Sequence, residues 1–134
     1  MKLIIAYVKP ERFKEVKKEL TKAEVYRMSV SKARGCAEQK GFTEILRATT
    51  QEMNLLPKIR IEIAVNDDFL EPAIEAIIRG AKTGTIGDGK IFVLPLEDCV
   101  RIRTGERGPD AVGGLSSQVS EKKRREIEAR RNAA

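Results

Sequence analysis

The residues with the clearest chemical purpose lie between Thr83 and Pro95, TGTIGDGKIFVLP. Gly84, Gly87 and Gly89 carry no Cβ, so backbone amides there can turn inward and approach a ligand closely. Such amide concavities favour anions, and Lys90 adds a full positive charge at the same spot. From Gly84 to Lys90 the stretch nearly spells the phosphate-binding pattern G-x-x-x-x-G-K-[ST]. It departs at Ile91, where a hydroxyl for Mg²⁺ would stand, and an apolar β run follows instead of a helix. The loop, about residues 82–90, is therefore read as one that grips phosphates without the standard hydrolytic equipment.

A second cationic pair follows in DCVRIRT, residues 98–104. Its alternation reads as a strand, which puts Arg101 and Arg103 on one face, and two parallel guanidinia near Lys90 would clamp an anion. The chain has no histidine. This removes the usual general base near neutral pH and excludes Ser–His and Cys–His nucleophile pairs. Without that base and without the missing hydroxyl, efficient phosphotransfer or ATP hydrolysis is not expected. Cys36 lies near Lys32, Arg34 and Lys40, which favour a thiolate; with no base partner it reads as a small space-filling residue. Cys36 and Cys99 are the two cysteines. The N-terminal apolar stretch is too short for a signal peptide, so a reducing cytoplasm and free thiols are expected.

The elements that must position these residues follow from hydrophobic spacing. Lys2 to Val8 is an apolar, β-prone run and reads as a first strand. Pro10 suits the opening of a helix to about Thr21, with Phe13, Val16 and Leu20 as its apolar stripe. Val25 to Arg34 alternates in part and reads as a second strand. Periodicity lapses from Gly35 to about Leu56. That segment is either a partner-binding loop exposing Phe42, Ile45, Leu46 and Met53, or a poorly patterned helix on the sheet. Lys58 to Val65 alternates strictly and is a strand. Asn66, with Asp67 and Asp68, supplies an N-cap and first-turn acids for a helix whose stripe is Phe69, Leu70, Ala73, Ile74, Ile77 and Ile78. Gly80 is expected to end it. Ile91 to Leu96 is the next strand. The order β-α-β-β-α-β is that of an α+β, ferredoxin-like sandwich, two helices on one face of a four-stranded sheet. The uncovered face must meet something, and in this fold that is often a neighbouring subunit or RNA.

Charge narrows the choice. The 134 residues carry a net charge of +6, yet the last 19 hold six Lys+Arg against three Glu, half of the excess. The body is only weakly basic. The tail VSEKKRREIEARRNAA pairs Glu121 with Arg125 and Glu126 with Arg130 at helical spacing, but its composition suits a solvated, flexible segment. RNA recognition modules stack bases on aromatic residues of the central strands. KIRIEIAV offers none and the first strand only Tyr7, so an RNA-binding ferredoxin-like domain is the weaker alternative.

From Met1 to about Val112 the chain resembles the PII nitrogen signal-transduction proteins. TGTIGDGKIFVLP followed by VRIRTGE resembles that family's most diagnostic block; KARGCAEQKGFTE resembles the base of its long T-loop, here about residues 36–56, and LLPKIRIEIAVNDD the strand that follows. The resemblance implies a homotrimer of ferredoxin-like subunits with nucleotide sites in the clefts between neighbours. ATP or ADP would bind there competitively, and ATP with Mg²⁺ would support binding of 2-oxoglutarate. Ligand state would reshape the T-loop and select partners. It places the phosphates on Gly87, Asp88, Gly89 and Lys90, with Arg101 and Arg103 reaching from a neighbour. Ser29, Glu62, Ala64 and Phe92 would surround adenine and ribose. Gln39 would ligate Mg²⁺ with ATP, and Lys58, with Gly87, would meet 2-oxoglutarate. The implied partners are an ammonium transporter, engaged through Arg47, or a nitrogen-assimilation enzyme or regulator. Direct nucleic-acid binding is not implied, and the membrane enters only through a transporter.

The chain departs from the family pattern at several places. Glu38 stands where an arginine usually reaches the phosphates, which replaces attraction by repulsion and predicts a weaker preference for ATP over ADP. Ala37 replaces a glycine beside the keto acid, so an adenylate-ratio sensor without a 2-oxoglutarate response is the second alternative. Gln51 stands where many members carry a uridylylated tyrosine. Thr49 aligns with a serine phosphorylated in some members, with Thr50 adjacent, though nothing local demands a phosphate. The family usually ends near Val112, which leaves residues 113–134 as a basic C-terminal extension.

Overall fold

The structure, a computed structural model, describes residues 1–36, 55–113, 125–126 and 128–133. The apolar N-terminal run forms β1 (Lys2–Val8). Its alternate residues Ile4, Ala6 and Val8 are buried, while Leu3, Ile5 and Tyr7 point to the other face. Pro10 opens a single 3₁₀ turn, Pro10–Arg12, which leads into α1 (Phe13–Lys22). Val16 and Leu20 of the expected stripe are fully buried and Phe13 packs against them.

The next strand starts later than the alternation suggested. After α1, Glu24 adopts a positive φ of 62° and the Val25 amide donates back to the Leu20 carbonyl at 2.9 Å. Val25 is thereby spent on closing the helix end, and β2 runs Ser29–Gly35. β3 spans Leu56–Val65, two residues longer than the alternation because Gly35 still pairs with Leu56. The T-loop residues 37–54 between these strands lie outside the described residues.

Helix α2 (Asp67–Ala81) follows β3 directly. Gly80 does not end it. A Cβ there would lie 2.5 Å from the Val16 Cα, so this glycine is the point where α2 presses its backbone on α1. Ala73 and Ala76 continue that flat contact, whereas Ile78, expected in the stripe, is exposed. Small residues set the distance between the helices; the large ones beside them fill the core. Asn66 occupies the N-cap position, but its side chain makes no cap bond: its Nδ2 donates to the Pro109 carbonyl at 3.1 Å.

β4 (Lys90–Pro95) completes a four-stranded sheet of order β2-β3-β1-β4, all neighbours antiparallel. This is the βαββαβ ferredoxin-like arrangement. Both helices cover the face of Ile4, Ile61, Ile63 and Val65. On the other face the register sets residues in transverse rows: Ser29, Glu62, Ile5 and Phe92 in one, Ser31, Arg60, Tyr7 and Lys90 in the next.

Residues 98–104 do not form the expected strand. The Asp98 carboxylate takes the amides of Cys99 and Gly108 and pairs with Arg107, while the Gly105 amide returns to the Arg101 carbonyl. The segment folds onto itself, with one β-bridge between Val100 and Arg107. The turn-rich exit contains a short helix, α3 (Pro109–Val112), whose Ala111 and Val112 are buried. In the tail, residues 125–126 and 128–132 are helical.

Candidate anion-binding site

At the end of the sheet where β1 finishes and β4 begins lies an open groove of about 780 Å³. It is lined by Tyr7, Arg34, Gly35, Cys36, Lys58, Thr85, Gly87, Asp88, Gly89, Lys90 and Phe92. A volume of this order suits a small-molecule ligand. Six residues expected at the site are therefore gathered in one place: Lys58, Gly87, Asp88, Gly89, Lys90 and Phe92. Strand geometry explains the gathering. Lys58 sits on the helix-free face of β3, Lys90 opposite Tyr7 at the start of β4, and Phe92 one row further along. Tyr7 meets Phe92 edge-to-face at 6.3 Å between ring centroids, which gives the groove one aromatic wall.

Gly89 shows why the loop enters β4 as it does. Its φ is +102°, and a Cβ would stand 1.6 Å from the Tyr7 carbonyl oxygen. Only glycine lets the chain pass so close to β1 in that conformation.

The loop's interior is held by Asp88. One carboxylate oxygen accepts the amides of Thr83 and Gly84 at 2.8 and 2.9 Å; the other accepts the Thr83 hydroxyl and lies 3.2 Å from the Lys9 ammonium. Hydrogen bonds from the Thr83 hydroxyl and then its amide, with smaller help from Gly84 and Lys9, hold the Asp88 carboxyl far below the usual carboxylate range. Asp88 is thus turned into the loop and occupies the Gly84 amide, one of those expected to face a ligand, together with the amide of Thr83. Cation capacity lies elsewhere. Lys58, though only 9% exposed, donates to the Gly87 carbonyl at 2.6 Å. Lys90 is exposed, and its ammonium group makes no hydrogen bond or ion pair among the described residues.

The sequence reading missed Lys9, Thr83 and Thr85. The signal was present in the two hydroxyls flanking Gly84, but nothing in the chain order shows that Lys9, some 75 residues earlier, ends beneath them.

The other expected residues lie elsewhere in the chain. Ser29 and Glu62 stand in the middle row of the helix-free face and Ala64 one row further from the groove. Glu62 is paired with Arg60 at 2.6 Å. Arg101 and Arg103 are not near Lys90 within the chain. The Leu96 amide bonds to the Met1 carbonyl and Arg101 donates to the Asp110 carbonyl, beside the Asn66–Pro109 contact. These contacts put Arg101 at the far end of the sheet, on the order of 25 Å from Lys58 by strand rise. Glu38, Gln39, Arg47, Thr49 and Thr50 lie outside the described residues. The described residues contain no group of three or more metal-ligating side chains. No helix among them is long and apolar enough to cross a membrane.

The family model for "Nitrogen regulatory protein P-II" matches residues 1–106. Nitrogen regulatory protein GlnK1 of Methanosarcina mazei is 59% identical over 114 residues, 84% of this chain and 97% of that protein. Nitrogen regulatory protein P-II of Mesorhizobium japonicum is 50% identical over 112 residues, 84% of this chain and all of that protein. Among solved structures, PII of Arabidopsis thaliana bound to citrate superposes with a TM-score of 0.66 at 41% identity, covering 82% of this chain and 90% of that one. The chain belongs to the P-II family of nitrogen regulatory signal-transduction proteins, regulators rather than enzymes.

Proposed function

We propose that this P-II chain binds ATP or ADP in clefts between the subunits of a homotrimer and, with Mg²⁺-ATP in place, 2-oxoglutarate. The observation that carries the reading is the division of the cationic residues between the two ends of one sheet. Lys58, Lys90 and the glycine loop sit at one end and Arg101 and Arg103 at the other, too far apart for one small ligand to touch both within a chain. A neighbouring copy that brings its Arg101 and Arg103 to the groove completes a phosphate site with cations on both sides. The helix-free face, with Leu3, Ile5, Phe92 and Leu94 in adjoining rows, supplies an apolar surface for such copies to bury.

In this arrangement Gly87, Gly89 and Lys90 hold the phosphates, with Asp88 shaping the loop. Ser29, Glu62 and Ala64 of the neighbour, with Phe92, enclose adenine and ribose. Gln39 ligates Mg²⁺ with ATP, and Glu38 beside the phosphates lowers the advantage of ATP over ADP. Lys58 leaves the Gly87 carbonyl to pair with the carboxylate of 2-oxoglutarate. The Arabidopsis PII protein holds citrate, an acid with the same kind of carboxylates. The likeness to GlnK1 supports an ammonium transporter as partner, met through Arg47 on the T-loop. Nitrogen-assimilation enzymes fit the same surface, and Thr49 and Thr50 are its sites open to modification. Domain limits follow: residues 1–112 form the sensing unit and 113–134 the extension.

Isothermal calorimetry with ADP, with Mg²⁺-ATP, and with 2-oxoglutarate after Mg²⁺-ATP tests the reading. The expected result is binding of both nucleotides and of 2-oxoglutarate only after Mg²⁺-ATP. Nucleotide binding with no keto-acid response would reduce the protein to an adenylate-ratio sensor; no nucleotide binding would overturn the proposal.

A further inference from the structure

We infer that Lys9 is the positioning residue of the phosphate loop, holding it closed through Asp88, Thr83 and Thr85 without touching the nucleotide phosphates. The inference rests on the nucleotide reading above and concerns how that site keeps its shape.

Three lysines approach the loop, and their hydrogen bonding separates them. An ammonium group has three protons to donate and no acceptor. Lys9 Nζ has three oxygens within reach: Thr85 Oγ1 at 2.7 Å, Thr83 Oγ1 at 3.2 Å and Asp88 Oδ1 at 3.2 Å. Every proton is committed to the loop, so none remains for a phosphate. Lys58 uses one bond, to the Gly87 carbonyl, and Lys90 none among the described residues. The saturated lysine shapes the loop; the other two are available to the ligand.

The protons in this network have a consistent direction. The Thr83 hydroxyl donates to Asp88, so the 2.7 Å contact between the two threonines has Thr85 donating to Thr83. Thr85 Oγ1 is then free to accept from Lys9. Asp88 in turn caps the Thr83 and Gly84 amides through its other oxygen. Lys9 is itself fixed, because its carbonyl accepts the Arg12 amide at 3.0 Å where the 3₁₀ turn begins. The loop's shape is therefore referred back to the end of β1. The same ammonium neutralises a carboxylate that would otherwise stand uncompensated beside a bound phosphate.

The test is a double-mutant cycle, Lys9→Met, Asp88→Asn and the pair, with ADP affinity by calorimetry and amide exchange of the nucleotide-free protein by NMR. Lys9→Met is expected to weaken ADP about tenfold, the scale of one charge-assisted hydrogen bond, and to speed exchange at Thr83 and Gly84. Adding Asp88→Asn should cost little more, and Lys9→Arg should restore part of both readouts. Multiplicative losses with unchanged exchange at Thr83 and Gly84 would overturn the inference, since Lys9 would then act on the ligand directly. Failure of the unsubstituted chain to bind ADP would overturn the nucleotide reading itself, and the exchange data would still show whether Lys9 holds the loop.

Discussion

Asp88 and Asp98 stand in the segments that flank β4, and each gathers a loop around its carboxylate in different company. Asp88 accepts the amides of Thr83 and Gly84 and pairs with Lys9, which comes from the foot of β1. Asp98 accepts the amides of Cys99 and Gly108 and pairs with Arg107 at 2.6 Å, all within eleven residues of chain. The first loop takes its shape from the sheet, the second from itself. The groove beside Lys58 and Lys90 needs the first solution, because its parts lie on separate strands. A protruding arm needs only the second. The arm leaves Ile102 wholly exposed at its tip, with Arg103 beside it.

The two loops should differ most at their glycines. Gly89→Ala places a Cβ 1.6 Å from the Tyr7 carbonyl at a φ of +102°, so β4 must shift or detach from β1. A loss of at least ~3 kcal/mol in global stability is expected, from overpacking added to backbone strain. Gly105→Ala, in the arm, also stands at positive φ (+73°), but nothing lies within 4 Å of its Cβ. Its cost should stay near the strain alone, about 1 kcal/mol. Urea unfolding of both variants measures the pair. Equal losses would show that the arm is as tightly bound to the sheet as the loop.

A smaller effect sharpens the contrast. Arg107→Ala removes the arm's ion pair with Asp98 and leaves its Arg101–Glu106 pair, but Arg107 is 70% exposed, and exposed pairs add little to global stability. The unfolding midpoint should not move measurably, whereas amide exchange at Cys99 and Gly108 should quicken. On the trimer reading, ADP affinity falls roughly threefold, by loss of preorganisation alone. A midpoint shift as large as that of Gly105→Ala would mean that the pair supports more than the arm.

Much of this was legible in the chain because burial leaves a periodic trace. β1, β3 and the stripe of α1 follow directly from alternation and three- to four-residue spacing, and the glycines before Lys90 mark the loop that lines the groove. The misreadings share one cause, which is that a side chain can spend its pattern on a local partner. DCVRIRT alternates, yet Asp98 draws its amides into a turn before any strand can claim them. Gly80 resembles a helix stop, yet its missing Cβ serves the contact with Val16. Val25 resembles the start of a strand, yet its amide closes α1. Lys9 could not be seen at all, since the meeting of β1's end with the loop exists only once the sheet is formed. The division of the cationic residues between two ends of the sheet was hidden from the residue pattern for the same reason, and only the family resemblance had Arg101 and Arg103 reaching from a neighbour.

The smallest expected effect separates the two aspartates by acid. Both carboxyls are held below the usual range, Asp98 first by the Arg107 side chain and Asp88, further down, by the Thr83 hydroxyl and amide. A carboxylate whose folded pKa is depressed contributes stability that is full above its unfolded value, about 3.9, and is lost as pH falls through the folded value. Neither loop should therefore change between pH 7 and about 5. On further acidification the arm should open first, because its Asp98 is less depressed and its partner Arg107 is exposed to solvent and screened by salt. Amide exchange followed down a pH series, corrected for intrinsic rates, should show protection lost at Cys99 and Gly108 before Thr83 and Gly84. Added salt should widen that gap by weakening the arm's exposed pair more than the loop's partly buried one. Loss of protection at a single pH in both loops would mean that one cooperative unit, rather than two separate aspartates, sets the acid limit.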